Sequence, residues 1–210
     1  PGEIEERFYR ELEFGTAGLR GILGAGTNRM NVYVVRRASL GLAAYLATVD
    51  GAKERGVCIA YDSRRFSREF AEETAVTLAA RGIRVYLFSS LHAVPQLSFT
   101  LRRLHCMAGV VITASHNPKQ YNGYKVYWAH GRQVGPEQAA AIFGCIEAVP
   151  MLSGRQGDLR ALVESGAITM IGEAEDETYY AATAGLCLYP DLLKAHGGDM
   201  KLVYTPLHGT

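Results

Sequence analysis

Val57-Cys58-Ile59-Ala60, Ile83-Arg84-Val85-Tyr86-Leu87-Phe88 and Gly109-Val110-Val111-Ile112 decide the fold. Each is a short, nearly continuous apolar run, which is how strands covered on both faces of a sheet read. Between the first two, Ser67 is placed to cap a helix that ends at Gly82. Between the second and third, Pro95 suits the first turn of a helix running to about Leu104. Strand, helix, strand, helix, strand predicts right-handed crossovers and an α/β fold, a mainly parallel mixed sheet with helices on both faces.

Upstream of this block, Ile4, Phe8 and Leu12 stand at helical spacing in residues 3–13 and predict a short amphipathic helix. Gly15, Gly18, Gly21 and Gly24 then recur at every third position. Four triplets without proline do not make a collagen repeat, and no strand precedes them with the GxGxxG spacing of a dinucleotide site. They predict a loop whose backbone N–H groups can approach an anion, with Arg20 among them. Asn31 is placed to cap a helix through about Thr48.

Downstream, residues 124–127 and 132–134 predict a hairpin turning at His130-Gly131, and Pro136 opens a helix to about Ala148. A strand at Ile168–Ile171 and a helix over 177–186 lead to Gly197-Gly198, a candidate hinge. The run Lys201-Leu202-Val203-Tyr204 begins like a new strand, and with no initiator Met at position 1 the chain reads as part of a longer protein.

The 210 residues are 48% hydrophobic and 20% charged, ordinary for a globular domain with a sizeable core. Lys and Arg total 22 against 21 Asp and Glu, so nothing in the charge balance points to nucleic acid or a membrane surface. Any anionic ligand must be held by a local arrangement. Cys58, Cys106, Cys145 and Cys187 form no CxxC pair, which argues against a zinc site or disulfide framework and favours a reducing cytoplasm. No stretch is long and apolar enough to span a bilayer, and the charged start does not read as a secretion signal.

Thr113-Ala114-Ser115-His116-Asn117-Pro118 follows the third apolar run directly, so Ser115 belongs outside the carboxyl end of a parallel strand, where open α/β sheets place ligands. Ala114 and His116 replace the context of a GxSxG nucleophile elbow. His116, next in the chain, projects poorly for taking its neighbour's proton and reads equally as a brace for the turn.

The run from Thr113 to Lys125, Thr-Ala-Ser-His-Asn-Pro-Lys-Gln-Tyr-Asn-Gly-Tyr-Lys, closely resembles the phosphoserine loop of the α-phosphohexomutases, the phosphoglucomutase and phosphomannomutase family. Phe14-Gly15-Thr16-Ala17-Gly18-Leu19-Arg20-Gly21 resembles that family's first active-site loop, and Asp62-Ser63-Arg64 its Asp-x-Arg segment. The resemblance implies that Ser115 carries the transferred phosphoryl group. A phosphate oxygen on Ser115 then helps to bind Mg2+, Arg20 points at the transferring phosphate, and Lys125 or His116 moves the proton. Asn117 is implied as a substrate-binding neighbour; Arg64 stands near the same edge as a substrate-binding or merely accessory residue, and Asp62 and Arg64 read equally as a loop ion pair. A serine phosphate carries about −1.5 to −2 charges near neutral pH, so a hard cation and nearby donors suit it. Lys125 is a base only if burial or positive neighbours lower its pKa from about 10.4; otherwise it is a phosphate-pairing cation.

On this resemblance residues 1–198 are the family's domain I and 199–210 the first strand of its second domain. The Asp-rich metal loop, the sugar-choosing loop and the distal phosphate site belong to the later domains, so this part is expected to be inactive alone. The implied reaction interconverts glucose 1-phosphate and glucose 6-phosphate through a bound glucose 1,6-bisphosphate, which also serves as activator. Phosphomannomutase, phosphopentomutase and bisphosphate synthase activities are alternatives for a small-molecule hexose or pentose phosphate. A serine phosphatase or a sugar-phosphate-binding module comes after them.

Overall fold

A computed structural model describes residues 2–15 and 18–205. The elements in chain order are α1 (Gly2–Phe8), β1 (Leu19–Ile22), α2 (Val32–Leu46), α3 (Ala52–Arg55), β2 (Val57–Tyr61), α4 (Ser67–Ala79), β3 (Val85–Phe88) and α5 (Val94–Arg103). They continue through β4 (Ala108–Ile112), β5 (Tyr121–Trp128), α6 (Pro136–Glu147), α7 (Leu159–Glu164), β6 (Ile168–Ile171), α8 (Glu173–Ala184) and α9 (Pro190–His196), and end in a 3-10 turn, Gly197–Asp199.

The strands form one six-stranded sheet in the order β1-β5-β4-β2-β3-β6. The four strands from β4 to β6 are parallel, and β5 and β1 add an antiparallel edge. This is the expected α/β mixed sheet. Alternation along the strands builds two cores. Val57, Ile59 and Tyr61 of β2 face α2, α4 and α6, whereas Cys58 and Ala60 face Leu97 and Leu101 of α5. The helix after β2 and the helix after β3 therefore cover opposite faces. The chain reverses its travel along the sheet between them, since β3 lies on one side of β2 and β4 on the other. That reversal opens a crevice above the carboxyl ends of β2 and β4, the usual ligand position in such sheets.

Local chemistry accounts for most boundaries. Asn31 caps α2 by accepting from the Tyr33 and Val34 N–H groups. Pro95 and Pro136 sit in the first turns of α5 and α6.

Several expectations need correction. Ser67 is the first residue of α4 and not its cap; Phe66 precedes it at φ 65°, and the Ser67 hydroxyl donates to Asp62 Oδ1 at 2.7 Å. Helix α1 buries no residue, because Ile4 and Phe8 remain in water and only Leu12, beyond the helix, packs on the core. Leu19–Ile22 is a strand and not a loop. The second hairpin arm shrinks to a bridge between Tyr127 and Gln133, with Gly131 (φ 82°) closing the turn against Ser98. Gly197 and Gly198 lie in the 3-10 turn. Residues 201–205 form no strand, since no neighbouring strand offers a ladder and all five are exposed; residues 206–210 lie outside the described residues.

Candidate active site

The loop after β4 is built around a buried anchor and an exposed serine. Thr113 and Ala114 are buried, and the Thr113 N–H donates to the Gly123 carbonyl at 3.0 Å, tying the loop's start to β5. The chain then turns out. The Ser115 N–H donates to the Thr113 hydroxyl at 2.9 Å and the Asn117 N–H to the Ala114 carbonyl at 3.1 Å, leaving the Ser115 side chain in solvent. Ser115 has φ 55°, a left-handed conformation that costs a non-glycine residue on the order of 1–3 kcal/mol and persists only where the surroundings impose it.

Arg64 imposes it. One terminal nitrogen donates to the carbonyls of Ser115 at 2.7 Å and Asn117 at 2.6 Å, and the other to those of Pro118 at 3.0 Å and Tyr121 at 3.1 Å. The remaining N–H, on Nε, faces Asp62 Oδ2 at 3.4 Å. All four terminal guanidinium donors are thus committed, and the side chain is only 9% exposed. Of the readings of Arg64, the ion pair with Asp62 and the accessory place are what the structure shows, and its terminal donors are spent on the loop and not turned to a substrate.

Asp62 is fixed in turn. Its Oδ1 accepts from the Arg64 backbone N–H at 2.9 Å and from the Ser67 hydroxyl, and Ser67 Oγ accepts from Asn122 Nδ2 at 2.9 Å. Asn122, at the start of β5, is fully buried. One chain of hydrogen bonds therefore joins β5, the first turn of α4, the loop after β2 and the serine loop.

Lys125 projects from β5 and Arg20 lies on the neighbouring β1, where it pairs in register with Gly123. Burial, and then the Arg20 charge, hold the Lys125 ammonium below its usual pKa, while Asp62 opposes them. No hydrogen bond or ion pair engages the charged end of either residue among the described residues, so both cations are free to meet an anion. Their closeness depends on glycine. Gly18 (φ 77°) lies against β5 so tightly that a Cβ there would fall 2.1 Å from the Tyr124 carbonyl oxygen.

The glycine series does not present N–H groups to an anion as expected. Gly15 and Gly18 donate to one another's carbonyls and Gly24 donates to Met30, so these donors serve the fold.

A cleft of about 1230 Å³ opens at this edge, with Ser115, Lys125, Asp62 and Arg64 in its wall. Arg20, His116 and Asn117 are outside that lining. His116 is exposed, its Nδ1 3.4 Å from Ser115 Oγ, a long contact for proton transfer. Asn117 gives its carbonyl to Arg64, and its side-chain Oδ1 is buried without a hydrogen-bond partner among the described residues. The sequence reading missed His92, a buried wall residue stacked on Phe88 with ring centroids 3.8 Å apart. Its nitrogens are already engaged by the Ser90 carbonyl at 2.8 Å and Asp176 at 2.7 Å, so it shapes the wall without serving as an acid or base. It also missed the bond between Ser67 and Asn122, which stand 55 residues apart in sequence.

No three His, Cys, Asp or Glu side chains converge as a metal-binding group among the described residues, and Asp62 is already held by Arg64 and Ser67. These residues alone do not make a magnesium shell. A Ser115 phosphate is the one ligand they would contribute.

A family model described as phosphoglucomutase/phosphomannomutase, alpha/beta/alpha domain I, matches residues 11–151. The chain belongs to this family. A phosphoglucomutase of Staphylococcus saprophyticus is 40% identical over 205 residues, covering 97% of this chain and 36% of the relative. A phosphopentomutase of Pongo abelii is 44% identical over 139 residues, covering 63% of this chain and 23% of the relative. The crystal structure of a putative phosphomannomutase from Thermus thermophilus superposes with a TM-score of 0.62 at 31% identity, covering 74% of this chain and 35% of that one. The chain thus spans only 23% to 36% of the length of these phosphomutase relatives. Its matched region carries β1 to β5, Ser115, Arg64, Lys125 and Arg20, so the site's geometry lies within the family's domain I.

Proposed function

We propose that this chain is the phosphoryl-donating domain of a phosphosugar mutase that interconverts glucose 1-phosphate and glucose 6-phosphate, with Ser115 as the carrier. The observation that carries the reading is the placement of an exposed serine hydroxyl, on a loop whose carbonyls are gripped by one guanidinium, at the mouth of a cleft whose wall also holds Lys125. The names of the relatives and the phosphoserine-loop resemblance support the same chemistry.

In this reading Ser115 phosphate passes its phosphoryl group to a hydroxyl of the bound hexose monophosphate, giving glucose 1,6-bisphosphate. The bisphosphate turns in the cleft, and its other phosphate returns to Ser115. Lys125, its pKa lowered by burial and by Arg20, takes the proton of the attacking hydroxyl and passes it to Ser115 Oγ as that oxygen leaves; on the return step it moves the Ser115 hydroxyl proton to the departing sugar oxygen. Arg20 lies close enough for its charge to act on Lys125 and meets the transferring phosphate from the same side. A phosphate on Ser115 would offer an oxygen to Mg2+, whose other ligands would come from outside these residues, and the bound ion would neutralise charge on the phosphoryl group. Residues 199–210 open the second domain in this reading, and the free cysteines suit a cytoplasmic enzyme.

Pentose phosphates are the second reading, favoured by the 44% identity to a phosphopentomutase over 139 residues. The full-length enzyme assayed with glucose 1-phosphate and with ribose 1-phosphate, each as wild type and Ser115→Ala, separates them. The higher kcat/KM identifies the substrate. Release of inorganic phosphate in place of the isomer overturns the mutase reading.

A further inference from the structure

Arg64 is nine-tenths buried, touches no open surface of the cleft with a free donor, and spends four N–H groups on main-chain carbonyls of a single loop. Those carbonyls belong to Ser115, Asn117, Pro118 and Tyr121, so the guanidinium spans the loop from the serine to the start of β5. A loop with its carbonyls turned inward on one cation has little freedom to shift its hydroxyl, and Ser115 sits at φ 55° inside that grip. The guanidinium itself is oriented by Asp62, which Ser67 and Asn122 hold from the sheet side.

We propose that Arg64 is a positioning residue for phosphoryl transfer: it holds the Ser115 loop in its reactive shape by chelating the loop carbonyls, and the Asn122, Ser67 and Asp62 chain sets its orientation. This rests on Ser115 being the phosphoryl carrier. Arg64 therefore acts on the transfer step through the loop, since its four terminal N–H groups are spent on the loop carbonyls. A lysine in its place keeps the charge but has a single nitrogen, which cannot reach four carbonyls spread over seven residues.

The test uses the full-length enzyme with Arg64→Lys and Asp62→Asn, each checked for folding by circular dichroism and thermal melting. Arg64→Lys should lower kcat about 100-fold with KM within about twofold, the cost of misplacing a reacting group by roughly an ångström. Asp62→Asn, which loosens the guanidinium without removing it, should show the same split with a smaller loss, and its folded form decides the matter if Arg64→Lys does not fold. Mass spectrometry after incubation with glucose 1,6-bisphosphate should show slower phosphate uptake at Ser115 in both variants. Wild-type kcat in a folded variant, or a rise in KM with kcat intact, overturns the positioning role. Absence of phosphate on Ser115 in the wild type overturns instead the carrier reading on which it rests.

Discussion

Gly18 and Tyr124 meet backbone to backbone: the space a side chain would need at position 18 is filled by the Tyr124 carbonyl oxygen, and Gly18 has φ 77°. This contact lays β1 on β5 and brings Arg20 beside Lys125. Gly18→Ala adds both a clash and a disfavoured φ, so it should destabilise the domain by at least about 1–3 kcal/mol and lower turnover by displacing Arg20. Gly15→Ala, where a Cβ would meet nothing within 4 Å, is the control and should leave the melting temperature unchanged. Thermal denaturation of the two variants checks the contrast.

Lys125 gives a prediction about pH. Its folded-state pKa is lowered, chiefly by burial and then by Arg20, so the folded chain holds that proton more weakly than the unfolded chain does. The resulting penalty to stability is full below the folded pKa and disappears as pH rises past the unfolded value. Lys125→Met should therefore melt higher than wild type at neutral pH, with the difference closing under alkaline conditions, while turnover is lost. Melting curves across pH and a kinetic assay read both.

Arg20→Gln removes the second cause of that shift. The Lys125 pKa should rise towards its ordinary value without reaching it, because burial remains. The acid limb of kcat then moves to higher pH, in the direction expected if neutral Lys125 is the base. A pH–rate profile identical in position to wild type would remove the coupling.

Glu73 is buried against Arg36, with Oε1 2.5 Å from Nε, and that pair ties α4 to α2 beneath the sheet. Glu73→Ala leaves the Arg36 charge buried, and loss of one partner from such a pair costs roughly 3–5 kcal/mol. Urea denaturation of the variant measures the loss.

How far the sequence revealed these features depends on what their partners are. The strands Val57–Tyr61 and Ala108–Ile112 were visible because both faces are covered and almost every position is apolar. Asn31 was visible because a helix cap is local. Strand β1 was hidden: Leu19-Arg20-Gly21-Ile22 has no strong strand pattern, and only its pairing with β5, about a hundred residues on, defines it. Ser115 and Lys125 were legible through the serine-loop motif. The pairing of Arg64 with Asp62 was legible too, but its grip on the serine loop was not, because those partners are main-chain carbonyls, which every residue possesses and no sequence pattern marks. The anion-facing role expected of the glycines failed for the same reason, since the Gly15, Gly18 and Gly24 N–H groups are absorbed by other carbonyls of the chain.

Everything proposed for the cleft depends on Ser115 carrying the phosphoryl group. Incubating the full-length protein with glucose 1,6-bisphosphate and locating the added phosphate by mass spectrometry of its peptides reads that step itself. A single phosphate on Ser115 is expected, discharged on adding a large excess of glucose 1-phosphate, with no label in Ser115→Ala. Phosphate at another residue, or an unlabelled Ser115 in a protein that still interconverts the two glucose phosphates, would contradict it.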